Sequence, residues 1–194
     1  MKRGMSILLV FLAAAALSFA QGRGGAGGRG GLVAGPDNSP KVGEMAPDFA
    51  LVGGDWRAAD GPRNLADFKG KKNVLLMFFP GAFTPGCTQE FTRAGQDHDK
   101  ITALNVEMIG ISRDMPGALS EFKKSVGARN GFVSDADLTI SKQYDAVMTT
   151  ATPNMAKRSY FLIDQTGKIV WKSTNNTLLS SDAVMGALTE NLKK

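Results

Sequence analysis

The sequence predicts an α/β fold in which a central mixed β-sheet is flanked by helices. Short apolar runs alternate with amphipathic stretches in the order β-α-β-α-β-α-β-β-α. Such alternation is typical of parallel strands joined by helical crossovers, whereas two strands in direct succession form an antiparallel hairpin. Both patterns occur here, so the predicted sheet has a parallel part and a terminal hairpin.

The first strand and the first helix lie on either side of a turn. Residues 73–79 (NVLLMFF) form a continuous apolar run that ends at Pro80, as expected of a strand buried on both faces. Residues 80–86 are rich in proline and glycine, which end the strand. The polar, amphipathic stretch from residue 87 to about residue 104 predicts the helix.

The later elements are shorter. Leu119, Phe122 and Val126 recur at helical spacing and predict a helix over residues 116–126. The sequence DQTG at residues 164–167 separates two apolar runs and predicts a hairpin turn. The last helix has Ser181 or Asp182 as its predicted N-cap. The other predicted elements are strands at residues 106–111, 132–133, 159–163 and 168–171 and helices at residues 138–144 and 181–192.

Residues 1–20 have the pattern of a secretory signal peptide. Lys2 and Arg3 form a positive start, an uncharged and largely apolar run follows, and Ser18 and Ala20 are the small residues that signal peptidase requires. The apolar run is shorter than the roughly 20 residues that span a bilayer, which favours a cleaved signal over a membrane anchor. We therefore expect a periplasmic or secreted protein, cleaved near Ala20.

A Gly-rich stretch at residues 21–41 follows the signal. It has no apolar face to bury, so it predicts a flexible linker. Residues 42–194 then form one domain, because no second linker and no internal repeat follows. The domain is nearly neutral, which argues against a nucleic-acid partner. The formal net charge of +5 comes mostly from the cations before residue 42, which are Lys2, Arg3, Arg23, Arg29 and Lys41.

Cys87 is the one cysteine of the chain. Exported proteins with structural disulfides usually have an even number of cysteines, so a single thiol is either a buried apolar filler or a reactive group. Thr84 and Pro85 predict the start of a helix, with Cys87 in its first turn. Free backbone N–H groups and the helix dipole stabilise an anion there, which favours a thiolate. These residues alone leave both alternatives open.

The loop around Cys87 resembles the active-site loop of the peroxiredoxin family, of the alkyl hydroperoxide reductase and thiol-specific antioxidant type. Pro80, Thr84 and Cys87 match the family signature Pro-x-x-x-Thr-x-x-Cys, and Arg158 matches an arginine that opens a late strand. The resemblance spans residues 42–192, points to the bacterioferritin-comigratory and related one-cysteine branches, and implies a thioredoxin-like fold. Other similar segments are APDF at 46–49, GISRD at 110–114, SDAD at 134–137 and RSYFLIDQTGKIVW at 158–171.

The resemblance implies a thiol peroxidase in which Cys87 attacks a peroxide and becomes a sulfenic acid. Thr84 and Arg158 would hydrogen-bond the peroxide oxygens, together with the Cys87 backbone N–H, and Pro80 would shield the thiol from bulk water. Each residue also has a plainer alternative: Thr84 as an N-cap, Arg158 in a surface ion pair, and Pro80 as the end of a strand.

Three further residues near the loop have supporting roles. The resemblance implies that Glu90, three positions after Cys87 and on the same helix face, orients the arginine; the alternative is a solvated carboxylate at a helix N-terminus. Phe79 and Phe83 either form the apolar wall of the pocket or belong to the core, and the sequence does not separate these alternatives.

The chain departs from the family at one position. Many members of the comigratory branch carry a second, resolving cysteine five residues after the first, and here that position is Thr92. An internal disulfide cycle is therefore excluded, and the reductant must be an external thiol, either small or on a thioredoxin- or glutaredoxin-like protein. No cofactor motif is present, and His98, the one histidine, offers no metal site. Family members commonly form homodimers, so a homodimer is a possible assembly.

Other functions compete with peroxide reduction. One is a thioredoxin-like binding or chaperone module with a non-catalytic cysteine, and another is a peroxide sensor that passes its oxidation to a partner without turnover. A thiol–disulfide oxidoreductase usually needs Cys-x-x-Cys, and here Thr84 stands in place of the first cysteine.

Overall fold

One mixed sheet of five strands forms the centre of the protein. The computed structural model describes residues 36–53, 56, 61–149 and 154–192. The predicted signal peptide, and the predicted linker up to residue 35, lie outside these residues. The strands are β1 (Asn73–Phe78), β2 (Val106–Ser112), β3 (Gly131–Ser134), β4 (Ser159–Ile163) and β5 (Ile169–Ser173). Their order across the sheet is β3-β2-β1-β4-β5.

The directions of the strands divide the sheet into two parts. β1 pairs in parallel with β2, and β2 in parallel with β3, whereas β4 is antiparallel to both β1 and β5. β1 is the middle strand, and all six of its residues are buried, as a strand covered on both faces requires. The predicted α/β fold with a mixed sheet is confirmed.

Helices cover both faces of the sheet. Side chains alternate along β1, so Leu76 and Phe78 enter one core cluster and Leu75 and Met77 enter the other. The helices are α1 (Pro85–Ala103), α2 (Pro116–Ser125), α3 (Thr139–Gln143) and α4 (Ser181–Asn191), with a short 3-10 helix at Leu65–Phe68 that was not predicted. Helices α1, α2 and α4 add Phe91, Phe122 and Leu188 to the second cluster, and α3 packs on the first.

Several element boundaries differ from the prediction by one or two residues. Helix α4 takes Ser180 as its N-cap, not Ser181 or Asp182: the Ser180 hydroxyl accepts a hydrogen bond of 3.2 Å from the Ala183 N–H. This is the usual capping geometry, in which the cap precedes the first helical residue and bonds three positions onward. β1 ends at Phe78, so Phe79 follows the strand while still pairing its N–H with the Ile111 carbonyl.

The packing of the domain begins before the predicted boundary at residue 42. Lys172 Nζ lies 3.0 Å from Asp37 Oδ2 and donates to Ser39 Oγ at 2.8 Å. The Asn38 N–H donates to Asp145 Oδ2 at 3.0 Å. Polar contacts thus order residues 37–39, although this stretch lacks the apolar face on which the linker prediction depended.

In the part of the chain that the structure describes, none of the helices combines the length and the apolar character that crossing a bilayer demands.

Candidate active site

Cys87 lies in the first turn of α1, close to the end of β1. Thr84 has an extended backbone and is the N-cap residue, and Pro85 is the first residue of the helix. At this end of the helix the Thr88 N–H donates a hydrogen bond of 2.8 Å to the Thr84 carbonyl. The N–H of Cys87 precedes that bond and belongs to the helix N-terminal donors that lack intrahelical acceptors. The sulfur therefore lies where the helix favours negative charge.

Arg158 contacts the sulfur directly. Its Nη2 donates a hydrogen bond of 3.0 Å to Cys87 Sγ. The register of the sheet explains this proximity: Ser159 pairs with Phe78, so Arg158 lies just beyond the last residue of β1, where the chain turns into α1. Cys87 is only 1% exposed and Arg158 only 9% exposed, so the contact is largely shielded from water. The alternative prediction, in which Arg158 forms an ion pair at the surface, is therefore not what the structure shows.

Glu90 holds the arginine from the other side. Its Oε2 accepts a hydrogen bond of 2.9 Å from Arg158 Nε, and its Oε1 accepts one of 2.6 Å from the Tyr160 hydroxyl. Burial raises the pKa of Glu90, while the charge of Arg158 and the hydrogen bonds from Tyr160 and Arg158 oppose the rise. The solvated carboxylate considered from the sequence is therefore not found, because Glu90 is 5% exposed.

The guanidinium keeps its positive charge in this setting. Burial acts to lower the pKa of Arg158, but the charge and hydrogen bond of Glu90 outweigh burial, and the net direction is upward. A fixed cation beside a sulfur favours the thiolate over the thiol by direct attraction.

Thr84 uses its hydroxyl in an unexpected direction. The hydroxyl makes no capping bond to the helix and instead donates to the Gly81 carbonyl at 3.0 Å. Asp114 fixes the same loop, because its Oδ2 accepts from the Ala82 N–H at 2.8 Å. With its proton directed to Gly81, the Thr84 oxygen presents its lone pairs as acceptors.

The remaining predicted residues separate into core and surface. Phe79 is fully buried, and its ring centroid lies 4.7 Å from that of Phe91, so it belongs to the core. Phe83 is 57% exposed at a positive φ of 61°, and its ring makes an edge contact with the ring of Phe122. Pro80 is half-buried directly after Phe79. Its shielding role stays a prediction.

Sequence reasoning missed one member of the site, Tyr160. The available signal was its position on a predicted strand two residues after Arg158, a spacing that places both side chains on the same face of an extended chain. Among the residues that the structure describes, no three histidine, cysteine, aspartate or glutamate side chains cluster to hold a metal ion.

The fold and the site together define a class of thiol enzyme: a mixed α/β sheet that presents one buried sulfur at a helix N-terminus, with a guanidinium bonded to it. Comparison with known proteins gives the family. The sequence pattern of the AhpC/TSA family matches residues 42–172, which is more than half of the chain. The chain belongs to this family and is a peroxiredoxin, an enzyme of the thiol peroxidase type.

Individual relatives agree with this assignment. The chain is 34% identical over 136 residues to peroxiredoxin Bcp of Escherichia coli (strain K12), which covers 68% of this chain and 84% of the relative. Among solved structures, it resembles peroxidoxin BcpB from Mycobacterium tuberculosis with a TM-score of 0.65 and 26% identity, covering 78% of this chain and 96% of the other. These similarities confirm the thioredoxin-like fold and the resemblance to the comigratory branch.

A second solved structure shows where the chain departs from some relatives. The reduced 2-Cys peroxiredoxin of Plasmodium vivax superimposes with a TM-score of 0.66 and 30% identity, over 78% of this chain and 96% of the other. The name of that protein specifies two cysteines, whereas this chain contains one.

Proposed function

We propose that Cys87 is the nucleophile of a one-cysteine peroxidase cycle, with Thr84 and Arg158 as catalytic partners and Pro80 as a shield. The observation that carries the proposal is the hydrogen bond of 3.0 Å from Arg158 Nη2 to Cys87 Sγ. A cysteine that merely filled a gap in the core would need no cation on its sulfur, whereas a thiolate is stabilised by a cation within hydrogen-bond distance.

The first step is attack of the thiolate on one oxygen of a hydroperoxide. The S–O bond forms as the O–O bond breaks, and the departing oxygen takes up a proton and leaves as water or an alcohol. Cys87 is oxidised to the sulfenic acid and the peroxide is reduced. Hydrogen peroxide and organic hydroperoxides both fit this step, because the reacting atoms are the same.

The protein accelerates this step by stabilising the breaking O–O bond. A free thiol is already a few per cent ionised at neutral pH, so complete ionisation can raise the rate by no more than about 30-fold. Further acceleration requires donors fixed before the reaction. The Arg158 guanidinium and the free N–H of Cys87 are such donors, and the Thr84 oxygen can accept the hydrogen of a protonated peroxide.

The cycle is completed by an external thiol. With one cysteine in the chain, no internal disulfide can form. A first reductant thiol displaces water from the sulfenic acid and forms a mixed disulfide, and a second releases Cys87 as the thiol and leaves as the reductant disulfide. Cys87 is 1% exposed, so a protein thiol reaches it only after the first turn of α1 opens. Thioredoxin- or glutaredoxin-like proteins and small thiols are the candidate reductants.

The proposed location is the periplasm or the exterior of the cell. Support comes from the positive, apolar and small-residue pattern of residues 1–20. Expression of the full chain in a Gram-negative host, followed by intact mass measurement, tests it: a mature chain that starts near residue 21 supports export. The resemblance to peroxiredoxins also supports a homodimer, which light scattering on the purified protein tests.

The proposed function is tested by following the product on Cys87. The reduced mature protein is mixed with one equivalent of hydrogen peroxide in the presence of a sulfenate trap, and the intact mass is measured. We expect one trap adduct per chain on Cys87 and none in the Cys87→Ser variant. An unmodified Cys87 would contradict the proposal and favour a non-catalytic binding module.

A further inference from the structure

Tyr160 completes a chain of hydrogen bonds that ends on the Cys87 sulfur. The Tyr160 hydroxyl donates to Glu90 Oε1 at 2.6 Å, Arg158 Nε donates to Glu90 Oε2 at 2.9 Å, and Arg158 Nη2 donates to the sulfur at 3.0 Å. We infer that Tyr160 is a positioning residue, which fixes the Glu90 carboxylate and thereby aims the arginine at the reacting atoms. The inference rests on the proposed roles of Cys87 and Arg158.

The strand geometry makes the arrangement rigid. Arg158 directly precedes β4 and Tyr160 is the second residue of that strand, so both side chains leave the same face of the sheet and meet the same carboxylate. Tyr160 is paired with Met77 of the central strand, and the tyrosine is 1% exposed. A carboxylate held through both oxygens by one strand has little freedom to rotate.

The direction of the tyrosine hydrogen is also fixed. The Leu179 N–H, just before α4, lies 3.4 Å from the Tyr160 oxygen and donates to it. The oxygen therefore accepts from the backbone and directs its own proton to Glu90. Burial and the neighbouring carboxylate raise the pKa of Tyr160, so the phenol stays protonated and remains a donor.

Loss of this donor should act on the arginine through Glu90. Without the hydroxyl, Oε1 would be a buried acceptor with no side-chain donor, which is unfavourable for the ionised carboxylate. Glu90 would then turn or bind a proton, and in either case it would hold Arg158 Nε less firmly. The reaction with peroxide should weaken more than other reactions of the thiol, because the arginine contacts the breaking O–O bond.

A purely structural role for Tyr160 is the alternative, and the chain offers a matched control. Tyr144 is the other of its two tyrosines, is fully buried, and donates its hydroxyl to the Pro47 carbonyl at 2.7 Å. It lies in the core cluster on the opposite face of the sheet, whereas Tyr160 shares its cluster with Cys87. Tyr144→Phe therefore removes a comparable buried hydrogen bond without touching the site.

The experiment compares two rate constants in the full mature protein: that of Cys87 with hydrogen peroxide and that with iodoacetamide, an alkylating reagent with no O–O bond. We expect Tyr160→Phe to slow the peroxide reaction about tenfold, the effect of a charged hydrogen bond worth about 1.4 kcal/mol. Alkylation should change much less. Tyr144→Phe should leave both rate constants at the wild-type values.

The outcomes separate this inference from the function on which it rests. Equal peroxide rates in Tyr160→Phe and Tyr144→Phe would overturn the positioning role while a fast wild-type reaction preserves the proposed function. An equal loss of peroxide reaction and alkylation in Tyr160→Phe would also overturn it, because a loosened structure has that effect. A wild-type reaction with peroxide no faster than that of free cysteine would contradict both the positioning role of Tyr160 and the proposed function.

Discussion

Arg158 and Cys87 are 71 positions apart in the chain, yet the arginine donates a hydrogen bond of 3.0 Å to the sulfur. The antiparallel pairing of β4 with β1 produces the contact, because it ends at Ser159 opposite Phe78, next to the turn that leads into α1. The nucleophile and its cation therefore come from different elements whose relative position is set by one strand register.

Replacement of Arg158 by lysine should slow the peroxide reaction by about 100- to 1000-fold, the effect of losing one preorganised donor. Lysine keeps the charge but lacks the planar fork with which Arg158 bonds Glu90 and Cys87 at once. Stopped-flow measurement of the second-order rate constant checks this. The matched control is Arg129→Lys, because Arg129 forms an exposed pair with Asp99 and should not affect the rate. Equal rates in the two variants would contradict the role of Arg158.

Thr84→Val should slow the peroxide reaction about tenfold or more, whereas Thr84→Ser should retain most of the rate. Valine keeps the shape of the side chain but removes the hydroxyl, whose O–H donates to the Gly81 carbonyl and whose oxygen can accept from the peroxide. Because Thr84 is exposed and makes no capping bond, unfolding in urea should be little changed in either variant. A loss of rate in the serine variant as large as in the valine variant would argue against a role for the hydroxyl.

Glu90 should make the stability of the protein depend on pH. Burial raises the pKa of Glu90 in the folded state above the ordinary value of 4.5. At pH values between 4.5 and the raised pKa, the folded state therefore binds more protons than the unfolded state. The Glu90 contribution to the free energy of unfolding is therefore fully present below the ordinary value and is lost as the pH rises through the raised one. Glu90→Gln does not titrate, so the stability of the wild type relative to this variant should fall as the pH rises from 4.5 through the raised pKa of Glu90. Urea unfolding at a series of pH values measures this, and a relative stability that rises with pH would contradict it.

Phe79 and Phe83 should differ sharply in their effect on stability. Phe79 is fully buried among other aromatic rings, and Phe79→Ala should lower the free energy of unfolding by about 3–5 kcal/mol. Phe83 is more than half exposed, and Phe83→Ala should lower it by less than about 1 kcal/mol. Denaturant unfolding of both variants provides the comparison, and similar losses would show that Phe83 also carries core packing.

Much of the fold could be predicted because its local signals are strong. The apolar run of β1, the proline at the start of α1 and the turn at residues 164–167 each depend on neighbouring residues, and the structure has a strand, a helix and a hairpin at these places. The predicted N-cap of α4, Ser181 or Asp182, was one or two residues beyond Ser180, because several neighbouring polar residues satisfy the same local rule.

The site could be predicted only in part, because its contacts are long-range. Arg158 was found through a family resemblance, and no local pattern indicates that it reaches Cys87. Tyr160 was missed because an aromatic residue in an apolar strand predicts a core position. Its role depends on the hydrogen bond from its hydroxyl to Glu90, which only the structure shows. Ser39 is held by Lys172, which is distant in the chain. The composition of the segment around Ser39 therefore could not predict this contact.

The role of the donors around Cys87 is tested by the second-order rate constant of the reduced protein with hydrogen peroxide, measured beside free cysteine at the same pH. We predict a ratio of the two rate constants far above about 30, because ionisation alone cannot exceed that factor and the donors around the sulfur must supply the rest. A ratio of about 30 or less would contradict it, since the Arg158 hydrogen bond would then contribute nothing to breaking the O–O bond.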